Sequence, residues 1–302
     1  MLPFARIAII GMGLIGSSIA RAARARMHGV SISAHDASAD VRARVLDLGL
    51  ADDVADTSAA AVIDAELVIL AVPLGAYADV VQALAADLAP GAVLSDVGSA
   101  KRCVAASLAG LVPPGVALVP AHPVAGTERS GPDAGFATLF EGRWCILTPP
   151  EGTPAAAVER VSAFWTRLGS RVEVMDAAHH DLVLAVTSHV PHLIAYSIVG
   201  TAADIEEVAA GEVIKYSAGG FRDFTRIAAS DPTMWRDVFL ANRDAVLEVL
   251  GRVGEDLAAL QRAIRWGDGE TLFRRFESSR ATRRAIVEAG QDVDAPDFGR
   301  GR

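Results

Sequence analysis

Residues 6–16 of the chain read Arg-Ile-Ala-Ile-Ile-Gly-Met-Gly-Leu-Ile-Gly, an apolar run that passes directly into three glycines. The run Arg6–Ile10 predicts a buried strand, and the sequence after the glycines predicts a helix over residues 17–26. Gly11, Gly13 and Gly16 have the spacing G-x-G-x-x-G. In this context the first glycine permits a tight turn, the second lets the backbone approach a pyrophosphate, and the third lets the helix pack close to the strand. The stretch therefore predicts a dinucleotide-binding turn, with free helix N–H groups facing the phosphates.

A carboxylate follows the glycines at the distance that this motif requires. Asp36 lies 20 residues after Gly16, at the end of the predicted second strand. A carboxylate there accepts hydrogen bonds from the ribose hydroxyls and repels a 2′-phosphate, which favours NAD over NADP. Arg42 and Arg44 are near enough in sequence to leave room for NADP. The predicted cofactor site comprises Gly11, Gly13, Leu14, Ile15, Gly16, Asp36, Val72, Pro73 and Ser99. The other interpretation is a plain tight turn with a solvated Asp36, and for Val72 and Pro73 simply the end of a strand.

The first 175 residues repeat one pattern, in which a short β-branched run is followed by a turn and an Ala- and Leu-rich amphipathic stretch. Strands that alternate with helices predict a mostly parallel sheet covered on both faces. We therefore predict an α/β, doubly wound Rossmann-type domain over residues 1–175. The predicted strands are 6–10, 31–35, 67–72, 92–96, 117–120, 144–148 and 171–175.

After residue 175 the pattern becomes helical, and we predict an all-α substrate and dimerisation domain over residues 176–302. Asp231-Pro232 is typical of a helix start. Beyond it, a narrow apolar stripe is formed by Val246, Leu250, Val253, Leu257, Leu260 and Ile264. A narrow seam favours a homodimer through the C-terminal helices, whereas packing within one subunit is the simpler alternative. A last helix is predicted over residues 270–289, followed by a frayed tail over 291–302.

Length, composition and charge exclude several classes of protein. The chain has 302 residues, more than one ordinary compact unit of about 100 to 200 residues. Its net charge of −9 argues against a general attraction to nucleic acid or an anionic membrane. Two cysteines, Cys103 and Cys145, are too few for a disulfide framework, so we expect a cytoplasmic protein. The uncharged residues 182–203 could span a bilayer, but the polar side chains among them predict a buried helix that lines a site.

Two segments place polar groups directly after predicted strands, where open α/β sheets bind their ligands. They read Asp-Val-Gly-Ser-Ala-Lys at residues 96–101 and His-Pro-Val-Ala-Gly-Thr-Glu at residues 122–128. Lys101 fits a helix-surface cation, yet only Lys101 and Lys215 are lysines among 28 basic residues. We therefore expect the two segments to face the nicotinamide of the cofactor.

Two further segments lie in the helical half of the chain. Residues 188–192 read Ser-His-Val-Pro-His, and Ser188 and His192 share a helix face at spacing i, i+4. Pro191 cannot donate to the carbonyl of Thr187 and predicts a kink. Residues 219–226, Gly-Gly-Phe-Arg-Asp-Phe-Thr-Arg, place two arginines in a glycine-loosened segment. The two arginines suit a carboxylate ligand, and the alternative is that they are solvated surface residues. For residues 188–192 the alternative is a histidine that is simply buried in the core.

Five motifs in this order resemble the prephenate/arogenate dehydrogenase family of tyrosine biosynthesis, whose members are also called cyclohexadienyl dehydrogenases. They are GMGLIG, DVGSAK, HPVAGTE, SHVPH and FRDFTRIAASDPTMW, which begin at residues 11, 96, 122, 188 and 221. The resemblance covers about residues 6–285 and implies the short, monofunctional form of an NAD-dependent oxidoreductase. It implies a cyclohexadienol substrate, prephenate or arogenate, that is oxidised at C4 and loses its ring carboxylate as CO2.

The resemblance also implies roles for individual residues. His122 resembles the family histidine that accepts the proton of the C4 hydroxyl, and Ser99 resembles the serine that binds the same hydroxyl. Arg226 resembles the arginine that anchors a substrate carboxylate, for which a planar guanidinium is suited. Arg222 stands where relatives often have Lys. The remaining substrate-binding residues implied are His192, Ser188, Glu128, Asp223, Arg222 and Trp235.

Three other interpretations of the sequence remain. A β-hydroxyacid dehydrogenase also joins a nucleotide domain to helices, but its catalytic Lys is followed four residues later by Asn, whereas Lys215 is followed by Gly219. A non-catalytic NAD-sensing protein would need the glycine motif but not His122, Ser99 and Arg226 together. A zinc enzyme lacks a clear third ligand beside the paired histidines, so no metal is expected.

Overall fold

The glycine turn lies between the first strand and the first helix of the computed structural model, which describes residues 2–209 and 212–288. The strands are β1 (Arg6–Ile10), β2 (Ser31–His35), β3 (Asp53–Val54), β4 (Leu67–Leu70), β5 (Val93–Asp96), β6 (Ala117–Val119), β7 (Ala121–Pro123), β8 (Trp144–Leu147) and β9 (Arg171–Val174). The α-helices among the first 175 residues are α1 (Leu14–Arg26), α2 (Ala39–Asp47), α3 (Ser58–Ala61), α4 (Tyr77–Leu84), α5 (Arg102–Leu108) and α6 (Ala155–Arg167). Those that follow are α7 (Ala177–Leu184), α8 (Val190–Ala209), α9 (Glu212–Lys215), α10 (Gly219–Thr225), α11 (Pro232–Ala241), α12 (Arg243–Trp266) and α13 (Gly269–Glu288).

The main sheet has six parallel strands in the order β3-β2-β1-β4-β5-β6. Ile7 and Ile9 of β1 belong to one buried apolar cluster, and Ala8 and Ile10 belong to another. Successive side chains of a strand point to opposite faces, so both faces of the sheet are covered. The predicted doubly wound α/β fold is confirmed. The strand order reverses between β1 and β4, where sheets of this kind bind ligands.

The prediction of one sheet for all these strands was wrong. Strands β7, β8 and β9 form a second sheet, in which β7 pairs antiparallel with β8 and β8 pairs parallel with β9. The short strand β7 was not predicted, because three residues that include Pro123 give too little alternation to recognise. After β6 the chain leaves the main sheet, and the segment that carries His122 pairs with β8 instead.

The uncharged stretch forms one long helical segment with an irregular turn. Helix α7 continues into a π-helical turn at Ala185–His189 and then into α8. Because Pro191 has no N–H for the Thr187 carbonyl, the sequence predicted a local break, and the structure has a wider turn directly before this proline. The prediction of a buried helix holds only in part, since Leu184, His189 and Val190 are buried but Val186 and Ile198 are exposed. By length and composition, residues 177–205 pass the test for a membrane span.

The chain divides into two compact units, residues 1–246 and 247–302. The predicted boundary after residue 175 stays a prediction. In the second unit, the described residues form the later turns of α12 and all of α13. The helix predicted over residues 270–289 is confirmed to Glu288, and the tail predicted to fray over 291–302 lies outside the described residues.

Candidate active site

The glycine turn after β1 has the geometry that its sequence predicted. Gly11 has φ +99, and a Cβ there would lie 2.5 Å from the carbonyl oxygen of Ala71. A Cβ on Gly16 would lie 2.0 Å from the carbonyl oxygen of Gly11, so this glycine allows α1 to start against the turn. A Cβ on Gly13 would meet no atom within 4 Å. The turn is tight on the protein side and open on the side where a pyrophosphate would approach.

The carboxylate of Asp36 completes this site at the end of β2. One oxygen accepts a hydrogen bond from the N–H of Met12 (2.8 Å), and the other accepts one from the N–H of Ser38 (2.9 Å). Asp36 is thus fixed beside the glycine turn, as binding of a ribose requires. Val72 lies against Gly11, Pro73 is exposed, and Leu14 and Ile15 are half-buried at the start of α1. These residues fit a dinucleotide.

The two arginines that left room for NADP are already engaged. Arg42 donates to the carbonyl oxygens of Asp36 and Ala37, and the guanidinium of Arg44 forms a forked ion pair with Asp133. An arginine that binds a 2′-phosphate would have to leave these partners. The arrangement is therefore that of an NAD site.

His122 lies at the centre of β7, with only 6% of its surface exposed. The peptide before it is held on both sides, since the N–H of Ala121 donates to Asp96 (3.2 Å) and its carbonyl accepts from the Lys101 ammonium (2.7 Å). Lys101 is fully buried and pairs with Asp96 at 2.6 Å, so the interpretation as a surface cation was wrong. Burial lowers the pKa of His122 well below its ordinary value, and His180, Lys101 and His189 lower it further. His122 is therefore a neutral base at physiological pH.

His122 contacts His180 of α7, and His180 in turn contacts Asp181; the sequence analysis missed both residues. The Nδ1 of His122 lies 2.8 Å from the Nε2 of His180, and the Nδ1 of His180 lies 2.8 Å from the carboxylate of Asp181. Asp181 also accepts hydrogen bonds from the N–H groups of Lys101 and Arg102. A histidine next to an aspartate at the edge of an apolar helix was the available signal, because such groups are buried only when they are paired.

The loop that carries Ser99 is half-buried and lies beside a second buried histidine. The Nδ1 of His189 faces the amide of Asn242 at 3.0 Å, and the same amide donates to the carbonyl of Asp181 at 2.7 Å. Burial lowers the pKa of His189 to about 4, against an opposite effect of Asp181 and of the backbone of Ser99. Asn242, which the sequence analysis also missed, therefore joins α7, the π-helical turn and the end of α11.

His192 and Trp235 form a stacked pair with ring centroids 3.7 Å apart. The Nδ1 of His192 lies 2.8 Å from the carbonyl of Ser188, so it is this backbone oxygen that orients the ring. Burial lowers the pKa of His192, and the positive charge of Arg226 lowers it further. The predicted residues Ser188, His192, Trp235 and Arg226 are therefore neighbours.

Arg226 contacts the loop that follows β7. Its guanidinium pairs with the carboxylate of Glu128 at 3.3 Å, and both side chains are about one-third exposed. Arg222 and Asp223 are exposed on α10. The structure thus brings Arg226 to Glu128 and His192, whereas Arg222 and Asp223 lie on the outer side of the same segment.

Other chemistries find less support in the described residues. Among residues 2–209 and 212–288, no group of three or more His, Cys, Asp or Glu side chains could hold a metal ion. Lys215, the candidate for β-hydroxyacid chemistry, is exposed, and its ammonium lies over the ring of Tyr216. The groups that the motifs supply are a neutral histidine, a serine loop and an arginine, which suit proton transfer and binding of a carboxylate.

Comparison with known proteins adds an independent finding. The sequence models described as "Prephenate dehydrogenase, nucleotide-binding domain" and "Prephenate dehydrogenase, dimerization domain" match residues 19–174 and 176–278. The chain is 45% identical to a cyclohexadienyl dehydrogenase of Zymomonas mobilis over 95% of this chain and 97% of that protein. It is 34% identical to a prephenate dehydrogenase of Bacillus subtilis, over 96% of this chain and 81% of that protein.

A solved structure shows the same similarity in three dimensions. It is the prephenate dehydrogenase of Aquifex aeolicus in complex with hydroxyphenyl propionate and NAD+. The two chains superpose with a TM-score of 0.87 and 31% identity, covering 95% of this chain and 98% of the other.

Proposed function

The chain belongs to the prephenate dehydrogenase family, and on that premise we propose that it catalyses the NAD-dependent oxidative decarboxylation of prephenate, arogenate or both. The products are 4-hydroxyphenylpyruvate and tyrosine, respectively, so the reaction belongs to tyrosine biosynthesis. The protein is an NAD-dependent oxidoreductase of this family. The observation that carries the proposal is the continuous set of contacts that runs from His122 through His180, Asp181, Asn242, His189 and Trp235 to His192. The charge of Arg226 lowers the pKa of His192, which places the arginine near the end of this set.

NAD fits the turn formed by Gly11, Gly13 and Gly16, with Asp36 placed for its ribose. When bound, NAD+ accepts the hydrogen of C4 with its electron pair, and the loss of the C1 carboxylate as CO2 leaves an electron pair that makes the ring aromatic. Gly13 leaves the phosphates room, and Val72 lies beside the turn. The half-buried Ser99 loop is the segment that would meet the nicotinamide and the C4 hydroxyl.

His122 is the general base of this proposal. Because its Nδ1 faces His180, its Nε2 is the nitrogen that takes the proton of the C4 hydroxyl. The same nitrogen returns the proton to the ring oxygen when the ring becomes aromatic, so the reaction needs no net transfer of a proton to the protein. A neutral, buried imidazole is suited to both steps.

Arg226 is the carboxylate receptor of this proposal, since its guanidinium is fixed by Glu128 and lies near His192. A fork of N–H donors binds two carboxylate oxygens at once. His192, Ser188 and Trp235 form the adjoining wall. Glu128 orients the guanidinium of Arg226, whereas Arg222 and Asp223 are exposed on α10 and are proposed only to place charge at the entrance.

We also propose a cytoplasmic homodimer that pairs through its C-terminal helices. The matched "dimerization domain" lies at residues 176–278, and the second unit exposes large apolar side chains in the single chain. Neither a membrane nor nucleic acid is a partner in this proposal. The apolar segment at residues 177–205 buries His180, Asp181 and His189 in polar contacts, which a lipid-facing helix would not provide.

Parallel steady-state assays test the proposed reaction. Prephenate and arogenate are each supplied with NAD+ and with NADP+, and formation of the reduced cofactor is followed by its near-ultraviolet absorbance. We expect turnover with NAD+ and at least one of the two substrates, and much weaker turnover with NADP+. A protein that binds NAD+ but reduces none with either substrate would be the non-catalytic NAD-sensing protein instead.

A further inference from the structure

His122 and two buried side chains behind it form a linear series of hydrogen bonds. His122 contacts His180 through Nδ1 and Nε2 at 2.8 Å, and His180 contacts Asp181 through Nδ1 and Oδ1 at 2.8 Å. The two imidazole rings are nearly perpendicular, with centroids 5.1 Å apart. His180 is fully buried and Asp181 almost so. None of the motifs that carry the proposed function contains His180 or Asp181.

The carboxylate at the end of this chain is held in place by backbone groups. It accepts hydrogen bonds from the N–H of Lys101 (2.8 Å) and of Arg102 (3.0 Å). Burial alone would raise the pKa of Asp181, but the hydrogen bonds from His180, Lys101 and Arg102 outweigh burial and hold it below its usual value. Asp181 is therefore an ionised group that can only accept hydrogen bonds.

The donors and acceptors along the chain then have one consistent assignment. His180 must donate its Nδ1–H to Asp181, so in the neutral ring its Nε2 is an acceptor. His122 must then donate its Nδ1–H to that Nε2, which leaves the lone pair of its own Nε2 for a ligand. Burial lowers the pKa of both histidines, so both rings are neutral at physiological pH. The opposite tautomer of His122 would present a proton where the base needs a lone pair.

The charged and titratable groups around His122 do not offer it another acceptor in the described part of the chain. Lys101 uses its ammonium on Asp96 and on the carbonyl of Ala121. His189 directs its Nδ1 to Asn242. His180 is thus the group that decides which nitrogen of His122 carries the proton.

We propose that His180, oriented by Asp181, is a positioning residue that keeps His122 in the Nδ1–H tautomer and so makes its Nε2 the base of the reaction. This inference rests on the proposed function for its kinetic consequence, but the tautomer itself is a property of the protein alone. The logic is that of a serine protease triad, in which an aspartate sets the tautomer of the catalytic histidine. Here a second imidazole stands between the carboxylate and the base.

Two substitutions of His180 and one neighbouring control separate this role from a structural one. His180→Leu removes the acceptor, whereas His180→Gln can offer its amide oxygen to the Nδ1–H of His122. His179→Gln is the control, because His179 is the adjacent residue on α7 and its side chain is exposed. The thermal midpoint and the affinity for NAD+ are measured for each variant, so that a loss of the fold is recognised.

We expect His180→Leu to lower kcat by about 10²- to 10⁴-fold, as for loss of the orienting aspartate in a triad, with KM changed by less than about threefold. His180→Gln should recover at least about tenfold of that loss, and His179→Gln should match the parent enzyme. A folded His180→Leu enzyme with turnover within about threefold of the parent would overturn the inference. So would a His180→Gln enzyme that is as slow as His180→Leu.

The nitrogen chemical shifts of the His122 ring, in protein labelled with ¹⁵N histidine, give a readout that needs no turnover. We expect a protonated Nδ1 and an unprotonated Nε2 in the parent and in His180→Gln, and a loss of this pattern in His180→Leu. An Nε2–H tautomer in the parent would overturn the inference whatever the enzyme does. If instead the parent shows the expected tautomer but no substrate is oxidised, the proposed function fails and the inference about His180 stands. If His180→Leu does not fold, the parent and His180→Gln spectra decide.

Discussion

His122 owes its predicted chemistry to its burial, since a low pKa keeps the ring neutral. Replacement by Asn removes the base but fills a similar space, so we expect kcat to fall by about 10²- to 10⁴-fold. Binding of NAD+ should be retained, because the glycine turn and Asp36 make no use of His122. Steady-state kinetics and a calorimetric titration with NAD+ check both parts. Wild-type turnover by His122→Asn would show that the base is another group.

The pH profile of the parent enzyme is the second test of His122. The base is the neutral form, and its pKa in the folded protein lies well below 6.5. As the pH falls through that value the ring gains a proton and cannot accept another, so kcat/KM should fall only on the acid side of pH 6.5. The limb should be absent from the residual activity of His122→Asn. A limb centred above pH 6.5 would contradict the assignment.

Arg226 tests the other end of the site. A hydrogen bond to a charged group contributes about 1.5 to 3 kcal/mol, so Arg226→Ala should raise the KM for the substrate by about ten- to hundredfold and affect kcat less. Arg226→Lys keeps the positive charge but loses the forked pair of donors, so its KM should lie between that of the parent enzyme and that of Arg226→Ala. The exposed Arg167→Ala on α6 is the control for loss of an arginine. An unchanged KM in Arg226→Ala would remove Arg226 from the substrate site.

Some of the proposed site residues could be identified from the sequence and others could not. His122, Ser99 and Arg226 stand in motifs whose order is specific, so they were proposed before any geometry was known. His180, Asp181 and Asn242 carry no motif, and their importance comes from contacts over 53 to 80 positions of sequence. Such contacts depend on how α7 packs behind β7, which local patterning does not report.

The turn between β1 and α1 allows the roles of two glycines to be separated. Gly13→Ala adds a methyl group where nothing lies within 4 Å, so the thermal midpoint should stay unchanged. The same methyl group occupies the phosphate side, and we expect the KM for NAD+ to rise by about tenfold, equal to about 1.4 kcal/mol. Gly16→Ala would place a Cβ 2.0 Å from a carbonyl oxygen and should destabilise the fold by about 1 to 3 kcal/mol.

Thermal unfolding without cofactor and steady-state titration of NAD+ distinguish the two glycine variants. Gly13→Ala with a lowered thermal midpoint, or with an unaltered KM for NAD+, would contradict the assignment of its open side to the phosphates.

The elements of the first half were predictable where they are regular. Strands β1 and β2 have the predicted bounds, because a short β-branched run between turn residues forms a strand in such a domain. Strand β3 has two residues and β7 has three, too few for a periodic signal. The π-helical turn was visible only as a proline in a helical pattern, since the sequence does not say how the helix accommodates the missing N–H.

The second compact unit leaves an unusual amount of apolar surface exposed in the single chain. Leu257 is 58% exposed, Ile264 67% and Trp266 78%. Within the stripe of α12, Val246 is buried in the single chain, whereas Leu257 and Ile264 are exposed. Large exposed apolar patches mark interaction sites, so the later part of the stripe is expected to pair between two copies. The chain has a mass of 31.5 kDa, and sedimentation at micromolar concentration should give particles of twice that mass.

A charge-matched pair of variants tests that interface. Leu257→Glu with Ile264→Glu adds two negative charges to the stripe, and we expect particles of 31.5 kDa. Arg262→Glu changes the net charge equally from an exposed position about 200° around the helix from Ile264 and should leave the dimer intact. Parent protein that sediments as a single chain, or a double variant that still sediments as a dimer, would contradict pairing through α12.

For the molecule as a whole, the periodicities of 2 and 3.6 residues and the glycine spacing were enough to predict the doubly wound domain, the helical half and the cofactor, since these follow from local chemistry. The roles of His122 and Arg226 came instead from the motifs that resemble the family. Three features could be recognised only in the folded structure. They are the second sheet, the hydrogen bond from Lys101 to the carbonyl of Ala121, and the alignment of His180 and Asp181 behind His122. These features depend on which distant segments pack together, and packing is set by the shape and burial of the whole core rather than by neighbours along the sequence.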